Sequence, residues 1–175
     1  MIHEKLLKPQ SILIVGASND VKKPGGKVLK NLLDSNYKGK VFAVNPKENE
    51  VQGVSCYEKV EDVPQVDCAI LAIAAKYCPS TVDELAHQKN TRGFIILSAG
   101  FSEENEAGAL LEKQIVNIIQ NVGGTLIGPN CTGFLNTHYC GAFDAPIPSL
   151  SAKGVDFITG SGATAVFIKE QGMTN

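Results

Sequence analysis

The stretch Ser11-Ile12-Leu13-Ile14-Val15-Gly16-Ala17-Ser18-Asn19-Asp20 constrains the fold more than any other in this chain. A short apolar run ends at Gly16, and a small polar turn follows. Pro24-Gly25-Gly26 comes next, then a helical pattern from Lys27. A buried strand, a tight turn and a helix in that order make a nest for an anion. Gly16 and the small residues Ala17 and Ser18 let a ligand approach the backbone closely. The free N–H groups of the helix start point at it. The plain alternative is an ordinary strand-to-helix turn.

The nature of the ligand is tested by two further positions. A dinucleotide fingerprint G-x-G-x-x-G needs glycine where this chain has Ser18 and Val21, so it fails twice. An NAD site places an acidic residue at the end of the next strand for the ribose hydroxyls. Here Lys40-Val41-Phe42-Ala43-Val44 runs into Asn45-Pro46-Lys47. A lysine there suits a ribose phosphate better than a bare diol, although Glu48 and Glu50 follow closely. The ligand reads as a phosphorylated nucleotide, with coenzyme A and NADP as candidates.

Bulk properties remove several function classes. With 175 residues, the chain is long enough for one α/β domain and some remainder. A net charge of −2 does not indicate a nucleic-acid surface. The run Cys68-Ala69-Ile70-Leu71-Ala72-Ile73-Ala74-Ala75 fits a buried strand and is too short to span a bilayer, so no membrane partner is expected. The N-terminus lacks a signal-peptide pattern. Cys56, Cys68, Cys78, Cys131 and Cys140 contain no C-x-x-C and read as reduced thiols of a cytoplasmic protein. His3, His87 and His138 show no metal-ligand spacing, so no metal site is expected.

Taken in order, residues 1–10 read as a polar lead-in. A strand is predicted over Ser11–Val15. The following helix carries Val28, Leu29, Leu32 and Leu33 on one face. A second strand covers Lys40–Val44, and residues 46–66 look irregular apart from a short edge strand at Val54–Tyr57. A third strand is predicted over Asp67–Ile73, followed by a helix opening at Pro79, with Val82, Leu85 and Ala86 inward. A fourth strand, Arg92–Leu97, ends in Ser98-Ala99-Gly100-Phe101. Ser102 reads as an N-cap for a helix whose stripe is Leu111, Ile115, Ile118, Ile119 and Val122. Thr125–Gly128 is a fifth strand, leading into Pro129-Asn130-Cys131-Thr132-Gly133.

Alternating strands and helices imply a doubly wound, parallel α/β sheet, whose ligands sit at the carboxyl ends of the strands. Every unusual loop falls at such an end. Residues 1–145 form the expected domain, and 146–154 a linker. Residues 155–175 then read as the first strand (Val155–Thr159) and helix of a second, truncated α/β domain, since one strand and one helix cannot bury a core of their own. Their apolar side chains invite contact with the first domain or with another copy, giving a possible homo-oligomer.

Four segments together resemble the NDP-forming acyl-CoA synthetases: Val15-Gly16-Ala17-Ser18, Val44-Asn45-Pro46-Lys47, Ser98-Ala99-Gly100-Phe101 and Gly128-Pro129-Asn130-Cys131-Thr132-Gly133. That group includes ADP-forming acetyl-CoA synthetase and the α subunit of succinyl-CoA synthetase. The resemblance covers about residues 8 to 170, and Gly-Pro-Asn-Cys-x-Gly is its most specific piece. It implies a CoA-binding Rossmann-like domain followed by a flavodoxin-like ligase domain. The implied reaction interconverts acyl-CoA, NDP and phosphate with free acid, CoA and NTP, through an acyl phosphate and a phosphohistidine. It implies coenzyme A or acyl-CoA as ligand here. ATP/ADP and Mg would serve the longer protein, whose ligase and nucleotide-grasp domains or subunit lie outside this chain.

By the same resemblance, Ser18 and Asn19 would meet CoA phosphates and Lys47 the nucleotide end, with Gly16, Ala17, Asn45 and Pro46 also counted as cofactor-binding. Ala74 and Ala75 would line the pantetheine path beside Ser98 and Gly100, with Asn130 and Cys131 near the thiol. Ser161 and Gly162 match a helix start that faces the phosphohistidine, although Thr159 and Gly160 depart from the family's residues. That histidine lies downstream, so no catalytic residue is expected in this chain, and His138 is not given the role. Plainer readings stay open: Lys47 as a solvated lysine, Cys131 as a small packed residue, and Tyr57, Tyr77 and Phe94 as packing. A stand-alone CoA- or NAD(H)-binding regulatory module is the alternative function.

Overall fold

Apolar runs that are buried on both faces form the centre of a sheet, and turn residues at their ends set its order. The computed structural model of the protein describes residues 2–144, 147–151, 153 and 155–173. Seven strands make the main sheet: β1 (Ser11–Val15), β2 (Lys40–Val44), β3 (Glu50–Val51), β4 (Val54–Tyr57), β5 (Cys68–Leu71), β6 (Gly93–Ile96) and β7 (Thr125–Ile127). Their order is β3-β4-β2-β1-β5-β6-β7, with every pairing parallel except β3–β4. The chain winds outward from β1 to β2 and β4, then returns to the other side of β1 through β5. The carboxyl ends of β1 and β5 therefore flank the point where the strand order reverses, which is where such sheets hold ligands.

Side chains alternate across the pleat and build two cores. Leu13, Val15, Ala69, Leu71, Phe94 and Ile96 face α3 (Cys78–Gln88) and α4 (Glu106–Asn121), meeting Val82, Leu85, Ile115 and Ile119. Ile12, Ile14, Cys68, Ile70 and Ile95 face α2 (Pro24–Asp34), meeting Val28, Leu29 and Leu32. With helices on both faces, the fold is the expected doubly wound α/β sheet. No described helix is long and apolar enough to cross a membrane.

Several local expectations are corrected. The lead-in contains α1 (Glu4–Leu7), whose Leu6 is fully buried and whose carbonyl accepts from the Tyr139 hydroxyl at 2.8 Å. Leu33 lies on the solvent side of α2 and is 40% exposed, while Asn31 takes the inward place and donates to the Ala142 and Asp144 carbonyls. Val54–Tyr57 is not the edge, because the turn at Gln52-Gly53 folds β3 back outside it. Asn105, not Ser102, caps α4: its side chain accepts from the Gly108 N–H at 2.9 Å. Tyr77 does not pack in the core and is 55% exposed. A second two-stranded sheet, β8 (Gly133–Leu135) with β9 (Cys140–Ala142), follows the last parallel strand.

The tail differs from its expectation too. Residues 155–159 form no strand, because no neighbouring strand offers a ladder, and Val155 and Ile158 are 95% and 88% exposed. The helix does form, as α5 (Gly162–Met173), and Lys169 on it pairs with Asp144. Ala145 at the end of the predicted first domain, Pro146, Ala152 and Gly154 of the predicted linker, and Thr174 and Asn175 at the end of the predicted second domain lie outside the described residues.

Candidate functional site

The carboxyl edge of the parallel strands gathers the predicted site residues into two groups. On one side stands the turn between β1 and α2. The Gly16 N–H bonds to the Val44 carbonyl at 2.9 Å, and Gly16 has φ +85°. A Cβ there would lie 2.5 Å from the Ala72 carbonyl oxygen, so the turn is wedged between β2 and β5. The first turn of α2 presses on the same loop. A Cβ on Gly25 would sit 2.0 Å from the Gly16 oxygen, and one on Gly26 would sit 2.2 Å from the Asp20 oxygen. Only residues without a side chain permit this approach. Pro24 occupies the first turn of α2 and Lys23 caps it without a side-chain bond, which leaves the N-terminal N–H groups unclaimed by side chains.

The end of β2 locks onto this turn. Asn45 donates to the Ala17 carbonyl at 2.7 Å, and its side-chain oxygen accepts from the Lys47 N–H at 2.9 Å. Pro46 and Lys47 are exposed, and among the described residues Lys47 has no ion pair. Lys22 and Lys23 add exposed cations at the start of α2. The side chains of Ser18 and Asn19 are both engaged by neighbouring groups, although Asn19 is exposed. Ser18 Oγ accepts from the Asp20 N–H, while Asn19 holds the Gln52 N–H and the Glu50 carbonyl.

The second group lies past β5. Ser98 Oγ donates to the Ile73 carbonyl, and the Asn130 N–H donates to the Ser98 carbonyl at 2.9 Å. Gly100, at φ +106°, approaches Ala75 so closely that an added Cβ would lie 3.1 Å from the Ala75 Cβ. Ala74 is exposed beside it. Cys131 donates its thiol to the Ile96 carbonyl at 3.3 Å, and burial pushes it up to about 11, so it is protonated at neutral pH. Glu103 accepts from the Gly100 N–H at 2.7 Å, a bond that holds its carboxyl below the usual range. Ala75, Ser98, Gly100, Asn130 and Cys131 thus share one side of the edge. Gly16, Ala17, Ser18, Asn19, Asn45, Pro46 and Lys47 share the other.

Other positions fall elsewhere. Ser161 caps α5 by accepting from the Thr164 N–H at 3.3 Å, and a Cβ on Gly162 would meet Thr132 Cγ2 at 3.0 Å. His138 is exposed on the β8–β9 turn, which touches Leu7 through Asn136 at the opposite, amino end of the sheet. A cavity of about 610 Å³ lies against α2 and residues 147–150, away from this edge. Its Lys30 is already paired with Asp34 at 2.7 Å, and its Asn31 amide is committed to two carbonyls.

The carboxyl edge offers aimed N–H groups, close-approach glycines and free lysines, a set suited to binding a phosphorylated ligand. Among the described residues, no group of His, Cys, Asp and Glu could hold a metal ion. Sequence reasoning missed Gln52 and Glu103, which fix the loops from outside the motifs. The signal for Gln52 was the two-residue interval between Val51 and Val54, a hairpin spacing.

Comparison with known proteins bears on this edge. The profile of a CoA binding domain family matches residues 10–137. The chain is 43% identical over 158 residues to the alpha subunit of ADP-forming acetate–CoA ligase II of Pyrococcus furiosus, covering 89% of this chain and 34% of that protein. The crystal structure of PH0766 from Pyrococcus horikoshii superposes with a TM-score of 0.85 at 39% identity, over 98% of this chain and 39% of that one. A dinucleotide forming acetyl-coenzyme A synthetase 1 from Ca. Korarchaeum cryptofilum, solved with phosphate and ADP, superposes at 0.81 and 30% identity, over 98% and 36%. The chain thus spans between a third and two fifths of the length of these relatives.

Proposed function

We propose a coenzyme A-holding function on one premise: the chain belongs to the CoA binding domain family. It is homologous to the alpha subunits of ADP-forming acetate–CoA ligases. In the longer protein, the proposed reaction interconverts acyl-CoA, ADP and phosphate with free acid, CoA and ATP. It passes through an acyl phosphate and a phosphohistidine supplied from outside this chain, and ATP/ADP and Mg bind there. Residues 1–145 hold the CoA, 146–154 link, and 155–175 begin the ligase part, where the N–H groups behind Ser161 and Gly162 face the phosphohistidine.

The observation that carries this reading is the carboxyl edge itself. Gly16, Gly25 and Gly26 let the turn, β5 and α2 pack at distances that any Cβ would block, and the N–H groups at this junction suit phosphate. In this reading the backbone of Ala17, Ser18 and Asn19 meets the pyrophosphate. Lys47, with Asn45 and Pro46 beside it, meets the phosphorylated ribose. The pantetheine arm runs past Ala74 and Ala75 and along Ser98 and Gly100 to Asn130 and Cys131. Calorimetric titration with CoA, 3′-dephospho-CoA and NADH tests it. CoA should bind tightest; tighter binding of NADH would replace this reading with a dinucleotide-sensing module.

The exposed Val155, Phe157, Ile158 and Phe167 are the proposed contact with the remainder of the longer protein or with a second copy. Sedimentation of the whole chain beside one ending at Ser151 should show self-association of the first only.

A further inference from the structure

The β3–β4 hairpin closes through Gln52 and Gly53, both at positive φ, 52° and 82°. Two-residue loops of this kind favour Asn-Gly or Gly-Gly, which enter that region easily. Glutamine there is an uncommon choice, and a strained backbone position points to a task for its side chain. That task is visible. Gln52 Nε2 donates to the Ser18 carbonyl and to the Gly26 carbonyl, both at 2.8 Å. The Gln52 N–H donates to Asn19 Oδ1 at 2.9 Å, and Asn19 Nδ2 donates to the Glu50 carbonyl at 3.2 Å. One half-buried carboxamide therefore ties the β1–α2 turn to the first turn of α2, and Asn19 returns the tie to the hairpin.

The consequence follows from peptide planarity. In a trans peptide the carbonyl and the next N–H point in opposite directions. Holding the Ser18 carbonyl toward Gln52 aims the Asn19 N–H away from the hairpin. Holding the Gly26 carbonyl there fixes the opening turn of α2. Both carbonyl oxygens, which would repel an anion, are kept turned from it. We propose that Gln52 is a positioning residue for a phosphorylated ligand, holding the N–H groups of the turn in their binding geometry before the ligand arrives. This rests on the CoA reading above.

Gln52→Asn separates this role from a structural one. Asparagine suits the positive φ better than glutamine, yet it is one methylene too short to reach both carbonyls. The variant should keep the wild-type Tm within a few degrees, the relieved φ offsetting the lost bonds, while its CoA Kd rises roughly tenfold because the turn is then ordered only on binding. Exchange of the ligand-free amides of residue 52 and Lys27, which bond to Asn19 Oδ1 and the Lys23 carbonyl, should also quicken when followed by NMR. A Gln52→Asn Kd within twofold of wild type would overturn the proposal. So would an affinity loss that merely follows a lost Tm, with amide exchange unchanged. A wild-type chain that does not bind CoA would overturn the CoA reading instead, and the amide exchange would still decide whether Gln52 orders the turn.

Discussion

Helices α4 and α5 carry similar apolar residues and meet opposite fates. In α4, Ile115 and Ile119 stand one turn apart on one face and are buried to 0% and 2% exposure. In α5, Ala165, Val166, Phe167 and Ile168 are consecutive. At 3.6 residues per turn, such a run wraps the whole helix and defines no face. Phe167 accordingly stays 62% exposed, while the Lys169–Asp144 pair ties the helix to the body. Local helix formation needs only the chain itself, whereas burial needs a partner surface. The sheet supplies that surface to α4 and not to α5.

The largest expected effect breaks this contrast most directly. Phe94, fully buried in β6, and Phe167 are the matched pair. Phe94→Ala should lower unfolding free energy by about 3–5 kcal/mol. Phe167→Ala should stay within about 0.5 kcal/mol. Urea denaturation gives both values, and equal losses would mean that α5 shares the main core.

Glycines sharpen the comparison next. Gly25→Ala drives a Cβ into the Gly16 carbonyl and should destabilise by about 1–3 kcal/mol, with CoA binding lost alongside. Gly172 in α5 has nothing within 4 Å of an added Cβ. Gly172→Ala should raise helicity by circular dichroism, worth up to about 1 kcal/mol locally, and leave the main urea transition unmoved.

The cysteines extend the contrast to pH, since Cys56, Cys68, Cys78, Cys131 and Cys140 all lie in the body. Burial pushes Cys68 and Cys78 up to about 12 and Cys131 up to about 11, above the ordinary thiol range. From that range upward the unfolded chain loses protons that the folded chain keeps. Stability from these thiols is therefore complete below about pH 8.5 and falls as pH rises toward 11–12. The urea midpoint should drop between pH 8 and pH 10.5, and Cys68→Ala should lessen that drop relative to its own neutral-pH value. A flat profile would remove the thiols from the balance.

The smallest effect concerns Lys47, which is exposed and unpaired among the described residues. Lys47→Ala should weaken CoA about two- to fivefold, the range for a solvated ion pair. The loss for 3′-dephospho-CoA should be smaller. Equal losses would make Lys47 a general cation rather than a partner of the ribose phosphate.

Much of this body was legible before any coordinates. The run Ile12–Val15 specified a central strand, because four adjacent apolar residues require cover on both faces. Gly16, Gly100 and Gly128 marked strand ends, and all three take positive φ there. The loops that follow β1, β2, β5, β6 and β7 do meet along one edge, which follows once every βαβ crossover has the same hand. The candidate site was legible as loops but not as side chains. Asn19 reads as a phosphate contact in the sequence, and in the structure its side chain accepts from the Gln52 N–H, 33 residues away.

What the sequence determined by itself was therefore local: strand and helix periods, glycine turns, and the order in which they alternate. Those signals are carried by neighbours along the chain, and short-range sterics enforce them. Tertiary structure decided whatever needed a distant partner. Leu6 became core because Tyr139, 133 residues away, closes over its carbonyl. Asn31 went inward because the carbonyls of Ala142 and Asp144 satisfied it there. Residues 155–159, apolar enough for a strand, stayed unpaired because a strand's hydrogen bonds must be completed by another strand. A helix closes its own hydrogen bonds, which is why α5 formed beside them.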